Sequence, residues 1–460
     1  MALAAELRGM DRHQWSAVVA SFLGWTLDAF DFFLMVFMFS AIAKEFHTNV
    51  AAVAIASTLT LAARPFGALF FGMLADRFGR KPILMIDILL YSVMEFASAY
   101  APSLTALLIL RCLFGFAMGG EWGIGASLVM ESIPPKARGF LSGVLQEGYA
   151  AGYLLASLVF FFLFDRIGWR GMFMVGLAPA LIIVLIRLGV KESPVFEAQA
   201  QAQAQAKARR SLPVVLGLGA MALGVSVGPA VVGALVGPLD KNAMLYWVYF
   251  VDAPIALCGL WVFRKHWRMA LYCVALMTAF NFFSHGAQDL YPTFLGEQHH
   301  LNTQAVGLLA MLGNVGAITG GLFFGAWSEQ LGRRRTMVIA ALLGILVIPL
   351  WAFSHTVPLL MLGVMLIQVS VQGSWGVIPV HLNELSPADA RGAFPGFAYQ
   401  LGNILASGCI VWQTRIAEAR HDDYGFALAL VVGIFAVVIA VLTLFGPQRQ
   451  GVNFVAMAES

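Results

Sequence analysis

The chain has 460 residues, of which 60% are hydrophobic and 12% are charged, and its mean hydropathy is +0.81. A soluble domain carries about 25% charged residues, so this composition excludes an ordinary soluble protein and indicates an integral membrane protein. The formal net charge of +3 is small and does not indicate a nucleic-acid partner.

Long apolar stretches recur along the whole chain, and most approach the roughly 20 residues that an α-helix needs to cross the hydrocarbon core of a bilayer. Fourteen such stretches predict an all-α polytopic membrane protein. They cover residues 16–43, 50–74, 82–100, 104–130, 139–164, 172–190, 213–236, 243–263, 270–295, 306–327, 337–353, 357–380, 392–415 and 425–445.

This pattern divides the chain into four parts. They are an N-terminal six-helix half at 1–190, a cytoplasmic linker at 191–212, two extra transmembrane helices at 213–264 and a C-terminal six-helix half at 265–460. Most of the 28 Lys and Arg residues fall in loops on one side, and the positive-inside rule makes that side cytoplasmic. We therefore expect a multi-pass protein in the lipid bilayer of a cell membrane, typically a bacterial inner membrane. Both termini should lie in the cytoplasm, and the protein should be monomeric.

Three charged residues lie deep inside the first two stretches. Asp28 and Asp31 share one face of the first helix because they are spaced i, i+3. Arg64 lies about 15 Å from the end of the second stretch at a rise of about 1.5 Å per residue, which places it near the midplane. An ionisable residue inside a span is expected to be functional, and a purely structural pairing of Arg64 with either aspartate is the alternative.

Two further charged residues lie in the fourth and fifth stretches. Glu147 is a candidate proton site, and membership of a gate network that includes Glu121 is its alternative. Arg111 could pair with Asp87 or Glu95, or its side chain could extend towards the membrane surface.

Two loop motifs occur twice in the chain. Residues 72–81 read Gly-x-x-x-Asp-Arg-x-Gly-Arg-Lys, and residues 325–334 read Gly-x-x-x-Glu-Gln-x-Gly-Arg-Arg. At the same sequence offset, residues 120–139 match residues 373–392, including Gly-x-Trp-Gly and a final Arg-Gly. Two matches at one offset indicate an internal repeat, which is the architecture of transporters whose parallel halves alternate around a midplane site.

A polar stripe marks the first helix of the second repeat. Five polar residues spaced i, i+3, i+4, i+7 and i+8 share one helical face. They are Asn281, Ser284, His285, Gln288 and Asp289. Because such a stripe cannot face hydrocarbon, it must line a wet cavity or a neighbouring helix. Gln400 and Asn403, farther along the chain, lie near the same depth.

These residues suit a carrier of a carboxylate anion. The planar guanidinium of Arg64 can bind a carboxylate through two hydrogen bonds. Four other residues can add hydrogen bonds to the substrate, and they are Asn281, His285, Gln400 and Asn403. A coupled proton needs a group whose charge can change. The candidates are Asp28, Asp31, His285, Asp289 and Glu147.

The loop motifs and the stretch from Arg111 to Gly115 resemble the major facilitator superfamily over nearly the whole chain. Within that superfamily, residues 24–33 and the two extra stretches are similar to the sialate:proton symporter family. The pattern Asn-x-x-Ser-His-x-x-Gln-Asp-x-x-x-Thr at residues 281–293 resembles the lactate and pyruvate permeases of that family, although Ala287 stands where many relatives have Ser or Thr.

The resemblance implies the major facilitator fold, in which two pseudo-symmetric six-helix halves alternate access to a central site. It also implies a cytoplasmic latch of ion pairs and helix ends that closes the inner gate. The residues that match this latch are Asp76, Arg77, Arg80, Glu131 and Arg138.

From the residues and the resemblance together we predict a secondary active transporter that carries a small monocarboxylate of the lactate or pyruvate type with a proton. Sialic acid or an aromatic acid is the alternative cargo, and a multidrug exporter, which would favour an apolar cavity with acidic groups, is the rival class. The sequence contains no nucleophile, metal-ligand or phosphate-binding motif, so we expect neither an enzyme nor a metal or other cofactor. We assign the 36 Phe and 11 Trp mainly to lipid-facing and belt positions.

Overall fold

The computed structural model describes residues 2–48, 50–198 and 253–454. Regular structure in these residues is entirely helical, and the helices form two groups in chain order. The first group consists of α1 (Ala2–Gly9), α2 (Arg12–Glu45), α3 (Val50–Phe78), α4 (Arg80–Ser98), α5 (Leu104–Met118), α6 (Glu121–Ser132), α7 (Arg138–Gln146) and α8 (Gly148–Leu188).

Local sequence explains several ends of these helices. A capping box begins α2, because the Asp11 carboxylate accepts from Gln14 N at 2.8 Å while the Gln14 side chain accepts from Asp11 N at 3.0 Å. Gly168 has a φ of +62°, a left-handed conformation that glycine adopts at little cost, and α8 turns there between two helical segments. Gly119 and Gly120 separate α5 from α6.

The second group follows a short apolar helix at Ala253–Val262. It consists of α9 (Trp267–Gln288), α10 (Thr303–Leu331), α11 (Arg333–Ala352), α12 (Val357–Trp375), α13 (Ile378–Leu385), α14 (Phe394–Leu405), α15 (Cys409–Glu418) and α16 (Tyr424–Phe445). The break between α12 and α13 corresponds to the break between α5 and α6, so the sequence repeat is also a repeat of broken helices.

Nine helices in the described residues are long and apolar enough to cross a membrane, so the fourteen predicted spans are not confirmed. One predicted span corresponds to α4, which is not among the nine because it contains the charged residues Lys81, Asp87 and Glu95. Another, at 392–415, is broken into the short helices α14 and α15. Hydropathy averaged along the sequence does not register such a break.

The two extra spans of the prediction are only partly within the described residues. The stretch 213–236 lies outside them, and of the stretch 243–263 the structure describes the helix Ala253–Val262 and Phe263. The Phe263 ring packs against Phe394 and Phe397 of α14, with ring centres 5.2 and 5.5 Å apart. This helix therefore contacts the second group.

Glycines bring α5 and α6 close to their neighbours. A Cβ atom at Gly115 would overlap the backbone of Thr60 in α3, which is the close approach that small residues permit between membrane helices. Gly123 instead meets the backbone of Gly396 in α14, which belongs to the second group. The two groups also meet where α7 packs on α10 and where α3 packs on α14.

Candidate functional site

An ion pair joins Arg64 of α3 to Asp28 of α2. A guanidinium nitrogen of Arg64 lies 2.8 Å from Asp28 Oδ1, and only 4% and 1% of the two side chains are exposed. The same nitrogen lies 3.0 Å from Met118 Sδ. Asp28 Oδ2 and Arg64 Nε have no hydrogen-bond partner among the described residues. The structural pairing considered for Arg64 is therefore present, but it is a single contact that leaves Arg64 with donors for another acceptor.

Asp31 belongs to a second buried cluster with Glu95 and Arg111. The Arg111 guanidinium forms an ion pair with Glu95, one of the two partners predicted for it from the sequence. A Cβ atom at Gly176 would lie 3.0 Å from Asp31 Oδ1 and 3.1 Å from Glu95 Cγ, so the two acidic side chains lie close together against this glycine. Neither oxygen of Asp31 has a hydrogen-bond partner in the described part of the chain. Two carboxyl groups thus lie beside one guanidinium.

His285 links the polar stripe of α9 to α14. Its Nδ1 atom lies 3.0 Å from Asp289 Oδ2, and its Nε2 atom lies 3.0 Å from Asn403 Oδ1. Both ring nitrogens face acceptor oxygens, an arrangement in which each can donate. The side chains of His285 and Asp289 are 33% and 37% exposed, in contrast to the buried Arg64 and Asp28. The structure brings together His285, Asp289 and Asn403 as one hydrogen-bonded set.

Gln288 of the stripe bonds to a glutamine that the sequence analysis missed. Gln288 Nε2 donates to Gln368 Oε1 of α12 at 3.1 Å and lies 3.4 Å from Ser284 Oγ. The available signal was an amide inside an otherwise apolar stretch. Gln368 is buried, so it extends the polar wall of the second group from α9 to α12.

Asn281 and Gln400 are both buried and differ in what they bond. Asn281 Nδ2 donates to Met277 O of its own helix at 2.8 Å, which leaves the Asn281 carbonyl oxygen for another partner. Gln400 is 1% exposed, and its Nε2 donor has no partner among the residues that the structure describes. A buried amide donor without a partner is costly, so Gln400 has a donor for a bound ligand to satisfy.

An aromatic cluster lies between the two groups of helices, which corrects the assignment of tryptophans to lipid-facing positions for these residues. Trp25 and Trp122 come from the first group, and Trp375 and Tyr399 come from the second. The Tyr399 ring centre lies 4.5 Å from Trp122, 5.6 Å from Trp375 and 6.2 Å from Trp25. Trp122 and Trp375 are the tryptophans of the repeated Gly-x-Trp-Gly motif, and that repetition was a signal for paired positions.

Two tyrosines connect this cluster to the charged residues. The Tyr149 ring packs against Trp25 at a tilt, with ring centres 5.7 Å apart. The hydroxyl groups of Tyr149 and Tyr399 both lie within the electrostatic range of Arg64 and Asp28, and Tyr149 also lies within that of Asp289. Tyr149, a residue of the first group, thus interacts electrostatically with charged residues of both groups.

A latch closes one end of the molecule, which we call the arginine face after Arg80, Arg138, Arg333 and Arg391. Asp76 at the end of α3 accepts hydrogen bonds from Gly392 N at 2.7 Å and Ala393 N at 3.1 Å, across the boundary between the groups. Arg80 lies 3.2 Å from both Asp76 and Glu131. The motif at residues 72–81 thus fastens the first group to the backbone of the second.

The second copy of the motif forms the reciprocal latch. Glu329 of α10 accepts from Gly139 N at the start of α7 at 2.5 Å and pairs with Arg333 at 2.7 Å. Arg333 also lies 3.2 Å from Glu384. Each group therefore offers a carboxylate to backbone amides of the other, and the arginine face is closed.

The other predicted gating and proton residues lie on or near this face. Arg138 donates to Val452 O at 2.7 Å, whereas Arg77 is exposed and lies over the Phe78 ring at 5.2 Å. Glu147, at the junction of α7 and α8, is 7% exposed, and its Oε1 atom lies against the backbone of Gly321 in α10. Glu147 thus faces the boundary between the groups and is not part of the His285 set.

The model of the Sugar (and other) transporter family matches residues 16–216 and 255–448, which is most of the chain. The chain belongs to this family. Similar proteins include the Saccharomyces cerevisiae carboxylic acid transporter protein homolog, which is 28% identical over 95% of this chain and 67% of its own length. The niacin transporter NiaP of Acinetobacter baylyi is 27% identical over 93% of both chains, and the Escherichia coli sialic acid transporter NanX is 25% identical over 94% of both.

A solved structure shares the fold of this transporter. The proton:xylose symporter XylE, bound to 6-bromo-6-deoxy-D-glucose, superposes with a TM-score of 0.70 at 18% identity and covers 97% of this chain and 98% of its own. That protein belongs to the major facilitator superfamily, so the structural similarity confirms the predicted fold. The family match and the apolar helices confirm an integral membrane protein. The similarities do not separate the sialate branch from the lactate branch of the superfamily.

Replacing Asp76 with asparagine is expected to loosen the closed arginine face of the transporter, because the amide keeps only one acceptor oxygen and loses the charge. Hydrogen bonds to charged groups contribute about 1.5 to 3 kcal/mol, so the gate should open about tenfold more often or more. The reporter is Ser142→Cys, since Ser142 Oγ accepts from Val380 N across the boundary at 3.1 Å and is buried.

The measurement is the rate at which a bulky maleimide labels the introduced thiol of the purified Ser142→Cys protein. Asp165→Asn, at an exposed aspartate of α8, makes the same chemical change away from the gate and is the control. Equal labelling rates for both variants would show that Asp76 does not hold the gate.

Proposed function

We propose that this transporter is a secondary active symporter that carries a small monocarboxylate anion together with a proton. The observation that supports this most directly is the buried Arg64, whose ion pair with Asp28 is a single contact 2.8 Å long. A buried guanidinium with spare donors is a natural site for a carboxylate, because its planar fork can make two parallel hydrogen bonds. The substrate carboxylate would bind Arg64 beside Asp28.

Other polar groups near Arg64 would complete the anion site. Gln400 has an unpartnered buried Nε2 donor among the described residues, and Tyr149 and Tyr399 carry hydroxyl groups in the range of the Arg64 charge. Asn281, Asn403 and His285 would contact a hydroxyl or keto oxygen on the opposite side of the substrate. This division matches a cargo with one charged end and one polar end.

Proton coupling is proposed for Asp31. Arg111 pairs with Glu95, Asp31 lies close to Glu95 and interacts electrostatically with Arg111, and two carboxyl groups near one cation can hold a shared proton. Asp28 is a second candidate, because substrate competes with it for Arg64. The His285 and Asp289 pair and Glu147 are the remaining proton candidates, the first at the centre and the second at the boundary between the groups.

The closed arginine face supports an alternating-access cycle. The positive-inside rule would place that face in the cytoplasm, together with both termini, so this conformation would face outward. Asp76, Arg80, Glu131 and Arg138 would hold the inner gate, and Arg77 would belong to the same loop. We further propose that residues 191–212 form a cytoplasmic linker and that residues 213–264 form two extra transmembrane helices. The protein would act as a monomer in a bacterial inner membrane.

The class of cargo is proposed from chemistry that several relatives share. Carboxylic acids, niacin and sialic acid, which the names of similar proteins mention, all carry a carboxylate. The resemblance of residues 281–293 to lactate and pyruvate permeases favours a small aliphatic acid. An aromatic acid is the second candidate, because the rings of Trp25, Tyr149 and Tyr399 offer surfaces for stacking beside Arg64.

The test is uptake into proteoliposomes with and without an inward proton gradient. The panel contains radiolabelled lactate, pyruvate, niacin and sialic acid, with a lipophilic cation to represent a multidrug exporter. We expect gradient-dependent accumulation of at least one carboxylate and none of the cation. Accumulation of the cation alone would contradict the proposal, and so would carboxylate uptake that is the same with and without the proton gradient. Liposomes without protein measure the background uptake.

A further inference from the structure

The segment after α16 returns to the arginine face, where Phe454, the last residue that the structure describes, places an aromatic ring. Phe454 is 1% exposed. The guanidinium carbon of Arg138 lies 3.9 Å from its ring centre and that of Arg391 lies 4.3 Å from it. Both distances are within the range of cation–π attraction. Arg138 belongs to the first group and Arg391 to the second, so one ring contacts both sides of the gate.

Backbone and side-chain bonds hold the residues before Phe454 in place. Val452 O accepts from Arg138 at 2.7 Å, and Gly451 N donates to Glu384 at 3.3 Å. Gln450 Nε2 donates to the carbonyl oxygens of residues 328 and 329 at the end of α10 at 3.4 and 3.2 Å. The segment is therefore anchored mainly to the second group, and it reaches the first group through Arg138.

The buried charge of Arg391 has few polar partners besides this ring. It is fully buried, and its one ion pair among the described residues is with Glu131 at 3.7 Å. None of its guanidinium nitrogens has a hydrogen-bond partner in that part of the chain. A buried charge needs compensation, and the Phe454 ring supplies part of it.

We propose that the cleft between Arg138 and Arg391 is a binding site for the chain's own C-terminal segment, with the Phe454 ring as the bound group. The occupied cleft locks the arginine face. Opening the gate separates the two arginines and withdraws the ring from at least one of them, so binding of the segment favours the closed state. The segment acts as a strap that adds to the two carboxylate latches.

The test uses the full-length chain carrying the Ser142→Cys reporter, with Phe454→Ala, Phe454→Leu and Phe454→Tyr. We expect alanine and leucine to raise the maleimide labelling rate by about tenfold, because neither offers a ring to two desolvated cations. Tyrosine keeps the ring and is expected to label at the rate of the parent. A parent-like labelling rate in the leucine variant would overturn the role of the arginine contacts, and an unchanged rate in the alanine variant would overturn the strap itself.

A matched control is available at the end of α16, earlier in the sequence. Phe445 ends that helix and is 81% exposed, so Phe445→Ala removes the same side chain without touching the cleft and is expected to leave labelling unchanged. Monodisperse elution of every variant shows that each is folded. The assay contains no substrate, so its outcome is independent of whether the proposed carboxylate cargo is correct.

Discussion

Anion uptake is expected to fall by at least about a hundredfold when Arg64 is replaced by alanine. In the proposed site this residue makes two charge-assisted hydrogen bonds to the substrate, each contributing about 1.5 to 3 kcal/mol. The change also leaves Asp28 buried without the cation that lies 2.8 Å from it. Initial uptake rates in proteoliposomes, at equal amounts of inserted protein, measure the effect.

Two further variants separate loss of binding from loss of folding. Arg64→Ala combined with Asp28→Asn removes both charges of the pair, so it should insert and remain monodisperse while still failing to transport. Arg64→Lys keeps the charge but not the planar fork, and we expect it to retain little activity. Uptake at the parent rate in either alanine variant would remove Arg64 from the binding site.

Replacing Asp31 with asparagine is expected to abolish accumulation against a gradient while leaving exchange intact. Asparagine cannot change charge, and the Arg111 and Glu95 ion pair that remains is balanced, so the cluster should still fold. The steady-state ratio of internal to external substrate should fall to about one, the value expected without coupling to the proton.

Counterflow of labelled against unlabelled substrate reports the exchange that should persist. A pH-sensitive dye inside the vesicles should record acidification with the parent and none with the variant. Asp165→Asn changes an exposed carboxylate on α8 and should behave as the parent. Asp31→Asn protein that still accumulates substrate and acidifies the vesicles would exclude Asp31 as the coupling residue.

Features that depend on composition and local spacing could be predicted from the sequence. The apolar stretches indicated a membrane protein, and the repeated loops indicated two similar halves. Spacing placed His285 and Asp289 on one face, and the structure joins them at 3.0 Å. The depth of Arg64 along its helix brought it level with Asp28, its actual partner.

Features that depend on how the two groups of helices dock could not be predicted in the same way. Asp76 bonds to the amides of residues 392 and 393, which no local pattern connects to it. Tyr399 packs against Trp25 and Trp122 of the first group, and these contacts also form only when the two groups dock. The break between α14 and α15 at 406–408 interrupts an apolar stretch without a charged residue to mark it, so hydropathy alone predicted one continuous span there.

The reciprocal latches also restrict how this sequence can diverge. Asp76 bonds to backbone amides, which any residue except proline supplies, so hydrogen bonding alone imposes almost no choice of side chain at its partners. Space imposes one, because a Cβ atom at Gly392 would lie only 2.9 Å from Asp76 Oδ1. Gly139, the partner of Glu329, is confined in the same way by the backbone of Gly325. Each half must therefore keep a carboxylate for its own latch and a glycine opposite the carboxylate of the other half.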